Sequence, residues 1–113
     1  MQEATFLILT ALAAGSQHGY GILADVSQIS GGRVRLATGT LYTALDRLTA
    51  EGHVQLVSEN SVGGRVRRTY GLTESGSAAL RAEAVRMAEA AELVIGQARE
   101  TKASPQTRNL RTT

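Results

Sequence analysis

The sequence predicts a mostly α-helical fold with a small β-hairpin, a winged helix-turn-helix, followed by a long C-terminal dimerisation helix. Three observations predict this fold. Apolar residues recur with helical spacing in three successive segments, and two alternating segments joined by glycines then indicate a hairpin. The final segment spaces its apolar residues as a heptad repeat, which is typical of helices that pair with another helix. We therefore divide the 113 residues into a winged helix-turn-helix over residues 1–73, a dimerisation helix over residues 74–103 and a disordered tail over residues 104–113.

The first helix is predicted over residues 3–14 and is apolar on nearly every side. A helix that is apolar all round has to be covered all round, and one small domain covers only part of it. We therefore expect a second subunit to cover the remaining surface, with Phe6 and Leu9 at that contact.

The second helix is predicted over residues 19–30, after a turn over residues 15–18. Gly19 falls near its packing face, where the missing side chain lets a neighbouring helix approach. Two glycines end the helix. The alternation that follows, over residues 33–36, is consistent with a very short strand.

The third helix, predicted over residues 38–51, has two faces of different character. Leu41, Leu45 and Leu48 have the spacing of a face that packs on a core. The opposite face is small and hydrogen-bonding, and we interpret it as a surface that fits a DNA major groove, with an ordinary amphipathic helix as the alternative. Thr38 is the expected cap of the first turn. The candidate DNA contacts on this helix are Thr38, Thr40, Tyr42, Thr43 and Arg47.

A hairpin is predicted next, with its first strand from residue 54, a turn over residues 60–64 and its second strand over residues 65–72. The arginines of the second strand are expected to contact phosphates, with solubilisation as the alternative. Tyr70 alternates onto the packing face, so packing and phosphate contact both stay open for it. The candidate DNA contacts of the hairpin are Arg65, Arg67, Arg68 and Tyr70.

The last helix is expected to start after Thr73, whose hydroxyl can cap it, and to carry the dimer contact. Its apolar residues recur at alternating spacings of four and three, which is the seam of a coiled coil. The helix is too long to be buried along so small a domain, so a partner chain is expected to cover the seam. The seam consists of Leu80, Ala84, Met87, Ala91, Val94 and Ala98.

Composition excludes several classes of protein. The chain has no cysteine, so it has neither a disulfide framework nor a thiolate metal site. No nucleophile elbow, phosphate loop or metal-ligand set appears, and His18 and His53 are interpreted as turn and post-helix residues, so we expect neither an enzyme nor a cofactor. No apolar run approaches about 18 residues and no basic segment precedes an N-terminal apolar stretch, so a cytoplasmic protein without membrane contact is expected.

The positive charge is concentrated around the third helix and the hairpin. The net charge is only +2, but residues 31–72 hold six arginines against three acidic residues, whereas residues 1–30 hold two acidic residues and no Lys or Arg. Arginine favours bidentate contacts to phosphate and guanine, which agrees with a nucleic-acid partner.

Four motifs, in order and at the expected spacing, resemble the PadR-like family of transcriptional regulators. They are HGY at residues 18–20, GTLY..L..L from Gly39, EG at residues 51–52 and Y.LT..G from Tyr70. The resemblance covers residues 5 to about 77, and the single helix after the wing resembles the short subfamily. It implies that the third helix and the wing bind DNA, and Tyr20 of the first motif completes the DNA-binding candidates.

The resemblance also implies a homodimer built from the C-terminal helix and the partner's first helix. Some family members release DNA when a phenolic acid or a planar drug binds, so a small aromatic or drug-like effector is expected, in a cleft at the dimer centre beside Phe6. The chain departs from the family pattern at Thr43, where proline is frequent, and at Asp46, where a basic residue is frequent. It has no tryptophan, so a tryptophan-lined drug pocket does not carry over.

These observations predict a DNA-binding transcriptional regulator, a repressor that binds an inverted-repeat operator as a dimer and is relieved by a small aromatic effector. The alternative is a winged-helix module for protein–protein interaction, whose arginine face meets an acidic partner without sequence-specific DNA binding. Competition separates the two, because a specific inverted repeat outcompetes random duplex only in the first case.

Overall fold

Four helices and three strands follow one another in a computed structural model that describes residues 1–103, with side chains over residues 1–98. The elements are α1 (Glu3–Ala13), β1 (Gln17–His18), α2 (Gly19–Ile29), α3 (Thr38–Ala50), β2 (Val54–Val62), β3 (Arg65–Leu72) and α4 (Glu74–Ala103). The order confirms the predicted winged helix-turn-helix with a long C-terminal helix. The predicted disordered tail lies outside the described residues. None of the helices within residues 1–103 has both the length and the apolar character that crossing a bilayer needs.

The core lies where α1, α2, α3 and the start of β2 meet. The predicted inner face of α3 is confirmed, because Leu41, Leu45 and Leu48 are almost completely buried. Each fully buried leucine of this kind contributes about 1.5–3 kcal/mol relative to an exposed one. The large side chains that are less than 2% exposed are Ile8, Leu9, Ile22, Val26, Leu41, Leu45, Leu48 and Val54.

Most of the apolar surface of α1 is covered by its own subunit. Leu9 is 0% exposed, so its side chain has no surface for a partner, and the expectation that it contacts a second subunit is corrected. The helix lies deep in the core, where α2, α3 and the sheet cover more of it than a small domain was expected to cover. Phe6 is half-buried and keeps part of its surface exposed.

The sheet contains a strand that the sequence did not predict. The strand order is β1-β3-β2, all antiparallel, and β1 pairs Gln17 with Tyr70 and His18 with Thr69. We predicted a turn at Gln17 and His18 and a strand over residues 33–36, and both predictions are wrong. A strand of two residues has no alternation to detect and exists only because β3 lies beside it. Residues 33–36 instead connect α2 to α3, and the Val34 N–H donates to the Ser30 Oγ at 2.9 Å.

The hairpin of β2 and β3, which we call the wing, is longer and tighter than predicted. Its turn is Gly63-Gly64 alone, with φ of 56° and 77°, so residues 60–62 belong to β2 and not to the turn. Positive φ at both central residues matches a type I′ turn, whose twist suits a two-residue hairpin. Val57 is a bulged residue, since Leu56 pairs with Tyr70 and Ser58 with Thr69.

The first turns of α4 belong to the winged-helix unit. Thr73 caps α4 as predicted, because its Oγ1 accepts from the Gly76 N–H at 3.0 Å, and its own N–H donates to the His53 carbonyl oxygen at 3.1 Å. The predicted cap of α3 is wrong, since Ala37 occupies that position without a side-chain bond. Leu80 is partly buried against the core of its own subunit, and its place on the dimer seam stays a prediction. Residues Met1–Arg81 form one compact unit, eight residues beyond the domain end predicted at residue 73, and a second unit begins at Ala82.

Gly76 is the point at which α4 touches the segment after α3, and Gly76→Ala is expected to destabilise the protein. An added Cβ would overlap the backbone carbonyl of His53, which cannot move without displacing β2. Overpacking of this kind costs about 1–3 kcal/mol of unfolding free energy. Gly39→Ala is the matched control, because the space around Gly39 is open and the change is expected to stabilise by up to about 1 kcal/mol. Thermal unfolding of both variants measures this, and an unchanged midpoint for Gly76→Ala would contradict the close contact.

Candidate nucleic-acid interface

A groove with a volume of about 320 Å³ lies between the wing and the N-terminal ends of α2 and α3. We call it the wing groove. It combines cationic, hydroxyl and apolar side chains, so it can hold an anionic group beside an apolar one. It is lined by His18, Gly19, Tyr20, Leu23, Thr38, Tyr42, Val62, Arg65, Val66, Arg67 and Arg68.

Close packing of α2 against α3 forms the inner end of the wing groove. A Cβ at Gly19 would overlap the hydroxyl group of Tyr42, so the missing side chain leaves room for the Tyr42 ring against α2. The prediction placed Gly19 on the packing face of α2, and Gly19 is buried there. The Tyr42 ring also packs on Tyr70, with ring centroids 6.4 Å apart and planes tilted by 59°. Tyr42 is therefore half-buried, with one part against the core and another part at the groove.

Tyr70 belongs to the core and not to the surface. Its side chain is only 6% exposed, beneath the wing and beside Tyr42. Burial raises the pKa of the Tyr70 phenol, while the nearby Arg68 charge acts in the opposite direction. The hydroxyl therefore stays protonated at neutral pH. Of the two interpretations that the sequence left open, the structure shows packing, and Tyr70 has too little exposed surface to contact DNA directly.

The three arginines of the wing differ in how much of their charge is available. Arg68 Nε lies 3.4 Å from Glu59 Oε2, its cross-strand neighbour in the ladder. Arg65 and Arg67 are exposed, and neither is paired with a carboxylate in the part of the chain that the structure describes. The wing therefore presents two free guanidinium groups and one that is partly neutralised.

The outer face of α3 is polar, exposed and nearly free of charge. Thr38, Thr40 and Thr43 are all exposed, and Gly39 has open space around it. Asp46, also exposed, is the acidic residue farther along the helix. Small hydroxyl-bearing side chains let a helix backbone come close to another surface, and hydroxyls both donate and accept hydrogen bonds. This face lies on the same helix end as the wing groove, since Thr38 lines the groove.

Comparison with known proteins identifies the fold and its family. The sequence model of the "Transcriptional regulator PadR-like family" matches residues 8–82, well over half of the chain. The chain belongs to the PadR-like family. Its members are transcriptional regulators rather than enzymes, as the sequence predicted.

Three proteins that resemble this PadR-like chain illustrate the match. Transcriptional regulator Rv3488 of Mycobacterium tuberculosis is 39% identical over 90 residues, which cover 79% of each chain. An uncharacterised 37.1 kDa protein in transposon TN4556 of Streptomyces fradiae is 45% identical over 86 residues, which span 76% of this chain but only 23% of that protein. The crystal structure of Bacillus subtilis PadR in complex with operator DNA superposes with a TM-score of 0.66 at 25% identity, covering 74% of this chain and 48% of that one.

The structure of this PadR-like protein brings together six of the ten DNA-binding candidates. Thr40 and Thr43 are exposed on α3 outside the groove lining, whereas Arg47 and Tyr70 lie elsewhere. Sequence reasoning missed His18, which also lines the groove. The HGY motif was the available signal, but His18 was interpreted as a turn residue because neither a cysteine nor a convergent carboxylate pair accompanies it. The six residues that line the groove are Tyr20, Thr38, Tyr42, Arg65, Arg67 and Arg68.

Arg47 connects α3 to α1. Its Nη2 donates to the Thr5 Oγ1 at 2.8 Å, and its Nη1 donates to the carboxylate of Glu51 at 3.3 Å. Thr5 is buried, so its hydroxyl relies on this bond. The predicted guanine or phosphate contact of Arg47 stays a prediction. In this structure its guanidinium binds Thr5 and Glu51 of the same chain.

We expect Arg47→Ala to lower the unfolding free energy by about 1 kcal/mol through loss of the Thr5 hydrogen bond, with equal effects on preferred and random DNA. Thr5→Val is the matched control, because it removes the same bond and keeps the arginine. Denaturant unfolding and DNA titration of the two variants should then agree. If Arg47 reads a base instead, Arg47→Ala alone loses roughly 1–3 kcal/mol of binding, and only at the preferred site.

Proposed function

We propose that this chain represses transcription as a homodimer that binds an inverted-repeat operator, with α3 in the major groove and the wing on the sugar–phosphate backbone. One observation carries the proposal. Arg65 and Arg67 of the wing, which have no carboxylate partner among the described residues, line the same groove as the N-terminal end of α3. A duplex that meets one of these elements therefore meets the other.

The chemistry of each element suits its part of the duplex. The major groove is about 12 Å wide and admits a helix whose outer side chains are short. Thr40 and Thr43 offer hydroxyls that either donate to or accept from base edges, and Thr38 stands at the groove beside the wing. Asp46 is the one carboxylate on this outer face, and it suits a cytosine amine better than a phosphate. Arginines placed on the wing neutralise phosphates without depending on sequence.

A homodimer supplies the second half-site. The predicted seam of α4 carries large apolar side chains that are exposed to solvent within the described residues, namely Met87 and Val94. Pairing with a second copy buries this surface, which contributes about 25 cal/mol per Å² of apolar area. A twofold dimer then places two recognition helices about one DNA turn apart, which matches an inverted repeat. The crystal structure of Bacillus subtilis PadR in complex with operator DNA supports the DNA-binding part of this proposal.

Selection of bound fragments from genomic DNA, followed by footprinting, tests the proposal. We expect a protected inverted repeat that outcompetes random duplex of equal length by at least about 1,000-fold. Equal competition by random duplex would instead favour the alternative, a module whose arginines meet an acidic protein. Loss of binding with rising salt is expected for both functions and does not separate them.

Relief by a small aromatic or drug-like effector is the finer part of the proposal, and family resemblance is its support. DNA affinity measured across a panel of phenolic acids and planar drug-like compounds tests it. A compound that lowers affinity for the operator at least tenfold supports the effector. If no compound in the panel changes the affinity, repression proceeds without one of these effectors.

A further inference from the structure

The side chain of His18 has a defined tautomer. His18 occupies the position before α2, and its Nδ1 accepts a hydrogen bond from the Gly21 N–H at 3.0 Å. A ring nitrogen that accepts from a backbone N–H has no hydrogen of its own. A neutral imidazole then carries its hydrogen on Nε2. The cap of α2 therefore makes the side chain an uncharged donor through Nε2.

The backbone and the ring of His18 are both held in place. Its backbone pairs with Thr69 of β3. Its ring is held by the hydrogen bond between Nδ1 and the Gly21 N–H. The two contacts leave few orientations for the side chain, so Nε2 is a pre-positioned donor. Such a donor loses little conformational entropy when it binds a ligand.

Nε2 is also accessible and without a partner. No hydrogen bond from Nε2 occurs within the described residues, where His18 is half-buried. No buried side-chain nitrogen or oxygen in this part of the chain lacks a hydrogen-bond partner, so Nε2 must reach solvent. His18 lines the wing groove, which also contains the unpaired Arg65 and Arg67. The residue that carries this uncharged N–H donor thus lines a cationic groove that suits an anion.

We propose that His18 Nε2–H donates a hydrogen bond to a phosphate oxygen of the DNA backbone seated in the wing groove. The proposal rests on the proposed function and extends its contacts beyond the recognition helix and the wing. The role of the contact differs from that of an arginine. A neutral donor adds affinity without neutralising a phosphate, so it releases no counterion and leaves the salt dependence of binding unchanged.

His18→Asn in the full chain separates the cap from the contact. The Asn side-chain oxygen can accept from the Gly21 N–H in the same way, since asparagine is among the best cap residues, but the donor at the Nε2 position is lost. We expect an unfolding midpoint close to that of the unaltered protein and about tenfold weaker binding to duplex DNA. The slope of log affinity against log salt is expected to stay the same, whereas Arg65→Ala lowers its magnitude by about one. His53→Asn is the matched control, because His53 lies outside the wing groove, with its Nδ1 3.2 Å from Ser75 Oγ.

Each outcome decides the proposal. Unchanged DNA affinity in His18→Asn overturns it, and so does a slope reduced by about one, because the ring would then act as a cation. If the unaltered protein binds no duplex at all, the proposed function fails and this contact fails with it. Should His18→Asn not fold, the ring ¹⁵N signals of the unaltered protein decide instead. A duplex-induced shift at Nε2, with Nδ1 remaining unprotonated, supports the contact, and unshifted signals overturn it.

Discussion

Replacing Arg65 and Arg67 together by alanine is expected to weaken binding to every DNA duplex on the order of 50-fold at about 0.1 M salt. Both guanidinium groups are exposed, line the wing groove and have no carboxylate partner in the described part of the chain. Each phosphate neutralised contributes about 0.9 to the slope of log affinity against log salt, so the double variant should lose nearly two units of slope. Titrations at four or five salt concentrations, on the preferred site and on random duplex, measure both effects.

Arg33→Ala with Arg86→Ala is the matched control for the wing variant. It removes the same formal charge, but from arginines that are already paired, Arg33 with Glu3 and Arg86 with Glu83. The hydrogen bond to Arg33 lowers the pKa of the Glu3 carboxyl, which is consistent with this pairing. We expect a much smaller change in slope for the control. If the slope of the wing variant is unchanged, the wing does not contact DNA. If the wing variant and the control variant lose the same slope, the effect comes from net charge alone.

Met87→Asp is expected to dissociate the proposed homodimer and, with it, to abolish the proposed binding to a specific operator. Met87 is 48% exposed on α4 and belongs to the predicted seam with Ala91 and Val94. Two aspartates brought together across a twofold seam repel each other and lose hydration. A monomer keeps the salt-dependent, non-specific affinity of one wing but loses the combination of two half-sites, which is worth at least about 100-fold. Sedimentation velocity and operator titration measure the two losses.

Val85→Asp provides the control for the seam. Val85 is 53% exposed, so the substitution is chemically alike, but two residues along a helix place it about 200° away from Met87. We expect this variant to stay dimeric and to bind the operator as before. A dimer that survives Met87→Asp and dissociates with Val85→Asp would assign the contact to the opposite face of α4. Truncation after residue 73 is a poorer test, because Gly76 and Leu80 pack within the winged-helix unit.

The sequence by itself determined the helices, the wing and the start of α4. Helical periodicity is a local property, and Leu41, Leu45 and Leu48 are buried as their spacing predicted. The two glycines at the wing tip adopt positive φ angles that other residues rarely adopt. A glycine pair between two alternating segments therefore predicts the position of the hairpin turn. Thr73 caps α4 by accepting a hydrogen bond from the N–H of Gly76, only three residues away. This cap is local, so the sequence alone predicts it.

Only the tertiary structure decided which of these side chains are accessible. Leu9 and Tyr70 have the character of surface candidates in the sequence, yet packing partners distant in the chain cover them. The strand β1 exists because β3 lies beside it, and the wing groove forms where the ends of α2 and α3 meet the wing. Periodicity assigns a residue to a face of its own element, but burial depends on what other elements bring to that face. Whether a charged group or a hydrogen-bond donor is free to bind DNA also depends on the tertiary structure, because its partners within the protein come from other elements.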